Sequence, residues 1–100
     1  MFIMQISVFL ENTTGALREL TGVLGENYVD IRELSVADTQ NFGIVRMIIR
    51  SDEIDRSMEI LRNAGYTARK NHVICAEIAD APNSLSALLA AVERAGISVE

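Results

Sequence analysis

One hundred residues with a net charge of −5 and a pI near 4.8 offer nothing that attracts nucleic acid or an anionic lipid surface, so neither is expected as a partner. Apolar residues make up 49% of the chain against a single proline, which argues against disorder, and no apolar run approaches the length of a membrane span. The single Cys75 has no internal disulfide partner and Met1-Phe2-Ile3-Met4 lacks the basic flank of a signal peptide, so a reducing cytoplasm is the expected location.

Phe2 to Leu10, rich in Ile, Val and Phe, reads as a first strand. Glu11 to Thr14 is polar, with Thr13 or Thr14 placed to cap the helix that follows. Leu17, Leu20, Val23 and Leu24 recur at helical spacing, with Arg18, Glu19 and Glu26 off that stripe. Val29 to Ala37 reads as a second strand whose apolar parity changes between Ile31 and Leu34, the mark of a bulge near Arg32-Glu33. Asp38 to Asn41 is expected as a turn and Gly43 to Arg50 as a third strand. Ser51 or Asp52 opens a helix with Ile54, Met58 and Leu61 inward, ending at Gly65. Tyr66 to Ile78 reads as two strands joined without a linker around Asn71-His72. A last helix carries Leu85, Leu88, Leu89 and Val92 and ends at Gly96.

The chain repeats itself at an offset of 68 residues. Asn12 falls on Asp80, Leu17 on Leu85, Leu20 on Leu88, Leu24 on Val92, Val29 on Ile97 and Ile31 on Val99, each keeping its chemical type. So long a period is a small domain and not a solenoid unit. The expected division is a complete domain over residues 1–72 and the N-terminal half of a second over 73–100. The order for residues 2 to 71 is β-α-β-β-α-β, and two helices on one face of an antiparallel four-stranded sheet bury these stripes economically. The expected class is α+β, a ferredoxin-like βαββαβ sandwich with a second copy that starts β-α-β. That fold hosts many functions and settles none.

The loop Glu11-Asn12-Thr13-Thr14-Gly15-Ala16-Leu17 resembles the signature of ACT domains, small regulatory modules that bind amino acids. Glu33 to Thr39, followed by Phe42-Gly43-Ile44-Val45-Arg46, resembles a narrower group, stand-alone proteins of two tandem ACT domains. The first loop departs from the family pattern at Thr14, where the pattern has Pro. The second has Pro82 but Asn83 where the pattern has Gly, which leaves its pocket in doubt. Leu10 stands where some amino-acid-binding relatives carry a polar contact, which argues against serine as the effector.

The resemblance implies a small-molecule effector, an amino acid, seated against Asn12, Thr13, Thr14, Gly15, Ala16 and Leu17, with no cofactor. The chemistry is plausible on its own terms. A helix N-terminus presents unpaired N–H groups and a positive dipole end to a carboxylate. Gly15 allows close approach, Asn12 donates and accepts, and Asp30 at the start of the second strand is a candidate for the ligand's ammonium. The plain alternative is a turn and helix cap for the loop and a solvated carboxylate for Asp30.

Catalytic chemistry finds no foothold. His72 and Cys75 are the sole residues of their types, and Cys75 is expected to be a buried small apolar residue. The six glycines are scattered and form no phosphate loop, and Asp52 and Asp55 sit where a helix dipole explains them. An acylphosphatase-like enzyme of this fold needs an Arg in the first loop, and that loop has none. No enzyme is expected. A ligand-free module that associates with a metabolic enzyme is the competing function. Leu85, Leu88, Leu89 and Val92 need cover, and the strand near Val73–Ile78 would present an open edge. The expectation is a homodimer whose half-repeats cover one another, against the alternative that the chain is a piece of a longer tandem protein.

Overall fold

Alternating burial from Ile6 onward in Phe2–Glu11 sends Ile6, Val8 and Leu10 to one side, and this strand, β1, is the centre on which the sheet is assembled. The computed structural model describes residues 2–38 and 42–99. After β1 come α1 (Ala16–Glu26), β2 (Ile31–Asp38), β3 (Phe42–Ile49), a 3-10 turn (Ser51–Glu53), α2 (Ile54–Asn63), β4 (Thr67–Ile74) and α3 (Ser84–Arg94). The four strands form one sheet in the order β2-β3-β1-β4, and every neighbouring pair is antiparallel. This is the ferredoxin-like α+β arrangement that the element order implies.

The core lies between α1, α2 and one face of that sheet. Ile6, Val8, Val45 and Met47 from the strands meet Leu20, Leu24, Ile54, Met58 and Leu61 from the helices. The α2 stripe of Ile54, Met58 and Leu61 is buried as read from the sequence, and so are Leu20 and Leu24 of α1, while Val23 is half-buried and Leu17 exposed. Val29 joins the core from the loop before β2. The pairing of β2 with β3 shifts register between Ile31 and Glu33, so the parity change does mark a bulge. It returns Leu34 and Val36 to the helix-side face, opposite Met47 and Val45, on the outer strand where no helix fully covers them.

Several local expectations need correction. Neither Thr13 nor Thr14 caps α1: the cap position is Gly15, with φ 86° and no capping side chain. Thr13 instead folds the loop through its backbone, donating to Glu11 O at 2.9 Å and accepting from Ala16 N at 3.2 Å. Asp52 does not open α2 either. It is held 2.6 Å from Arg50 Nε, and the 3-10 turn Ser51–Glu53 leads into the helix. Asp38 closes β2 and is no turn residue, while the rest of the expected turn, 39–41, lies outside the described residues.

Tyr66 to Ile78 is not two strands. β4 runs unbroken through Asn71 and His72 because β1 pairs it from Phe2↔Ile74 to Phe9↔Thr67, and residues 75–79 carry no strand. Val73 and Ile74 pair with β1 on one side only. Because β4 is the last strand of the sheet, its other side is an open edge that includes them, while residues 75–78 form no strand to extend it. Beyond β4 only α3 is regular: among the described residues 75–83 and 95–99 contain no strand. Extended segments gain regularity from a neighbouring strand, and these have none. Cys75, expected buried, is exposed on this irregular segment.

Candidate functional site

The repeat survives in the backbone to the level of single hydrogen bonds. Thr13 N donates to Glu11 O and Ala81 N to Ala79 O, both at 2.9 Å. Ala16 N donates to Thr13 O at 3.2 Å and Ser84 N to Ala81 O at 3.3 Å. Glu19 N donates to Gly15 O and Ala87 N to Asn83 O, again both at 2.9 Å. At the far end of the helices Val29 N reaches Leu24 O and Ile97 N reaches Val92 O. Every one of these pairs is separated by the same 68 residues as the sequence repeat.

Asn83 therefore does what Gly15 does. It enters α3 with φ 70° and ψ −2°, beside 86° and −5° at Gly15. Asn tolerates the left-handed region better than most residues, so the departure from glycine is absorbed without changing the turn. What Asn adds is a side chain at the mouth of the second loop.

The first loop borders a shallow cleft of about 200 Å³ lined by Leu10, Glu11, Asn12, Thr13, Ala16, Leu17, Val36, Gly43 and Val45. Four of the expected residues meet there: Asn12, Thr13, Ala16 and Leu17. Gly15 sits at the turn behind them with nothing within 4 Å of the place a Cβ would occupy. Thr14 is exposed and does not line the cleft. Asp30 is not part of it. It follows α1 at the other end, and an 11-residue helix spans about 16 Å. There its charge is felt by Arg50, whose pKa lies above its ordinary value mainly through the hydrogen bond it donates to Asp52, with the charges of Glu53 and Asp30 adding to it. Within one chain, then, Asp30 and the loop do not form one site.

The sequence missed the back wall of this cleft. Val36, Gly43 and Val45 arrive through register, since Leu10 pairs with Gly43 and Val36 with Val45. Only the cross-strand alignment could have found them. Leu10 is buried, so the floor of the cleft is apolar and its polar groups sit on the rim.

The family model for the ACT domain pair matches residues 1–100. The chain belongs to that family. ACT domains are small-molecule-binding regulatory modules, and the βαββαβ fold and the β1–α1 loop seen here are of that kind. Among solved structures, the chain is similar to protein BT0572 from Bacteroides thetaiotaomicron, with 28% identity and a TM-score of 0.87. That match covers 96% of this chain and 65% of the Bacteroides protein, so the chain spans just under two thirds of its length. The ligand-free regulatory subunit of aspartate kinase from Thermus thermophilus shares the fold at 15% identity and a TM-score of 0.75, covering 97% of this chain and 72% of that one. The ACT domain from GTP pyrophosphokinase of Chlorobium tepidum does so at 18% identity and a TM-score of 0.55, covering 80% of this chain and 96% of that domain. No curated protein matches the chain. Among the described residues no helix is long and apolar enough to cross a membrane.

Proposed function

We propose that this ACT domain pair is a cytoplasmic regulatory protein that binds an amino acid against the Asn12–Leu17 loop and acts through binding and association, without catalysis. The observation that carries this reading is the cleft itself: an apolar floor from Leu10, Val36 and Val45, a rim bearing Asn12 and Thr13, and the N-terminus of α1 at its edge. The first-turn N–H groups of a helix lack intrahelical acceptors and favour a carboxylate. The cleft is open on its outer side, next to the partly exposed Leu17 and Val36, so a second ACT domain is expected to close it. Glu11, which lines the cleft, and Asp30 of another copy are the acidic groups available for the ligand's ammonium.

The domains of the pair are taken as residues 1–72 and a second beginning at 73. That the Thermus aspartate kinase neighbour is a regulatory subunit is in keeping with a regulatory role for this chain.

A thermal-shift screen of the twenty amino acids tests the reading. At 100 times its Kd, a ligand confined to the folded state adds about 2.7 kcal/mol of stability. Gly15→Val should abolish the shift, and a screen in which no amino acid at millimolar concentration moves the melting temperature hands the function to ligand-free association.

A further inference from the structure

The sheet has a second face, and its composition is unlike the first. One row of cross-strand partners runs Ser35–Arg46–Ser7–Arg69 from β2 to β4. The next row adds Gln5 and Asn71. Neighbouring strands lie about 4.8 Å apart, so the Arg46 and Arg69 backbones flank Ser7 at that spacing on either side. Among the described residues neither arginine takes part in an ion pair.

Across this face lies α3, and between them is a cleft of about 740 Å³. Gln5, Ser7, Ser35, Arg46 and Asn71 form its polar side, and Leu88, Leu89 and Val92 its apolar side. The chain carries 14 acidic residues, yet none of them lines this cleft. Glu33, one row from Arg46 on β2, stays outside its walls. A positive, hydroxyl- and amide-bearing surface opposite an apolar one, in a protein of net charge −5, is complementary to one chemical type.

We infer that the cleft between the sheet and α3 binds a small amphiphilic carboxylate, its head on Arg46 and Ser7 and its apolar body against Leu88, Leu89 and Val92. Arg offers a carboxylate two parallel N–H donors, and a hydroxyl at the next strand supplies a third. The volume lies in the range of small-molecule pockets, and the division into a few polar groups and an apolar wall is their usual composition. This site is separate from the Asn12–Leu17 loop, on the opposite face of the sheet, and does not depend on it.

Octanoate below its micelle concentration is the probe, with octan-1-ol and octylammonium of the same chain length as controls. Calorimetric titration of the intact chain is expected to show octanoate bound at least roughly tenfold more tightly than octanol, as a charged hydrogen-bonded pair implies. Octylammonium should not bind. Arg46→Gln, on an exposed position, should leave the melting temperature unchanged and erase the preference for octanoate. Methyl resonances of Leu88, Leu89 and Val92 should shift while those of Leu34 and Val36 stay in place. Equal binding of octanoate and octanol, an Arg46→Gln variant that binds like the parent, or shifts at Leu34 and Val36 overturns the inference. So does octanoate binding that disappears as the chain self-associates, which gives the cleft to a second copy.

Discussion

Ser57 is wholly buried on the inner face of α2, and its hydroxyl has no hydrogen-bond partner among the described residues. A buried, unsatisfied polar group costs roughly 1–3 kcal/mol, and Ala is also the better helix former. Ser57→Ala should therefore raise stability by about 1 kcal/mol, read as a melting temperature higher by roughly 4–8 °C. Gly15 presents the opposite case. A Cβ there meets nothing, so any penalty is one of backbone conformation alone at φ +86°. Gly15→Ala should cost about 1–2 kcal/mol in chemical denaturation, and Gly15→Asn less, because Asn83 already holds the equivalent turn. Charge acts more weakly. The hydrogen bond from Lys70 at 2.9 Å holds the Asp55 carboxyl below its ordinary pKa, and that from Arg50 does the same for Asp52. A carboxylate with a lowered folded pKa adds stability above its unfolded pKa and loses it as pH falls through the folded value. Both pairs are solvent-exposed, so the contribution is small and salt-sensitive. Melting temperatures measured downward from pH 5 should fall less steeply in Asp55→Asn than in the parent, and the difference should shrink in high salt.

α1 and α3 put one structural pattern into two environments. Both are 11 residues long, enter through a left-handed turn and leave through matching hydrogen bonds, yet α1 buries Leu20 and Leu24 while α3 buries nothing. Leu20→Ala should cost about 2–5 kcal/mol in any state of the protein. Leu88→Ala, at the repeated position, should cost less than about 1 kcal/mol in a dilute monomer and more wherever α3 is covered. Urea titration of both variants at two protein concentrations separates the cases. The comparison also shows what was legible beforehand. Periodicity gave α1, α2 and the bulge in β2, because burial on one face enforces the pattern, and it gave α3 although that helix buries none of its stripe here. It failed at the end of β4, since Val73 and Ile78 look alike in sequence and only the length of β1 determines which of them finds a partner. It failed at the α1 cap, where a turn built from backbone bonds leaves Thr13 and Thr14 without the role their chemistry suggests. Of the candidate loop, Asn12, Thr13, Ala16 and Leu17 were readable because a local motif holds them. Val36, Gly43 and Val45 were not, because long-range register brings them there.

At the scale of the molecule the surface is too large. The chain exposes 7445 Å², where a compact monomer of 11.0 kDa exposes about 5,600 Å², an excess of about 1,800 Å². Its radius of gyration is 15.6 Å against about 13 Å for a compact domain of this length. α3 and the segment after it contribute to the excess, with Leu85 56% and Ile97 54% exposed. A standard interface buries about 800 Å² per partner, so this surplus is of the size that obligate association removes. Exposed Leu34 and Val36 on the outer strand add a second apolar strip. Self-association that covers α3 accounts for both, and a two-fold axis does so with one kind of contact. The expected result of sedimentation at micromolar concentration is a dimer, weakened by Leu85→Glu on α3, a position that does not line the cleft between α3 and the sheet. The charged side chain could not be buried without a large penalty, whereas Glu in place of the exposed Tyr28, which follows α1 on the opposite side of the sheet, should leave the dimer intact. A monodisperse monomer whose residues 73–99 resist hydrogen exchange would show that α3 needs no second copy, and the dimer would have to be abandoned.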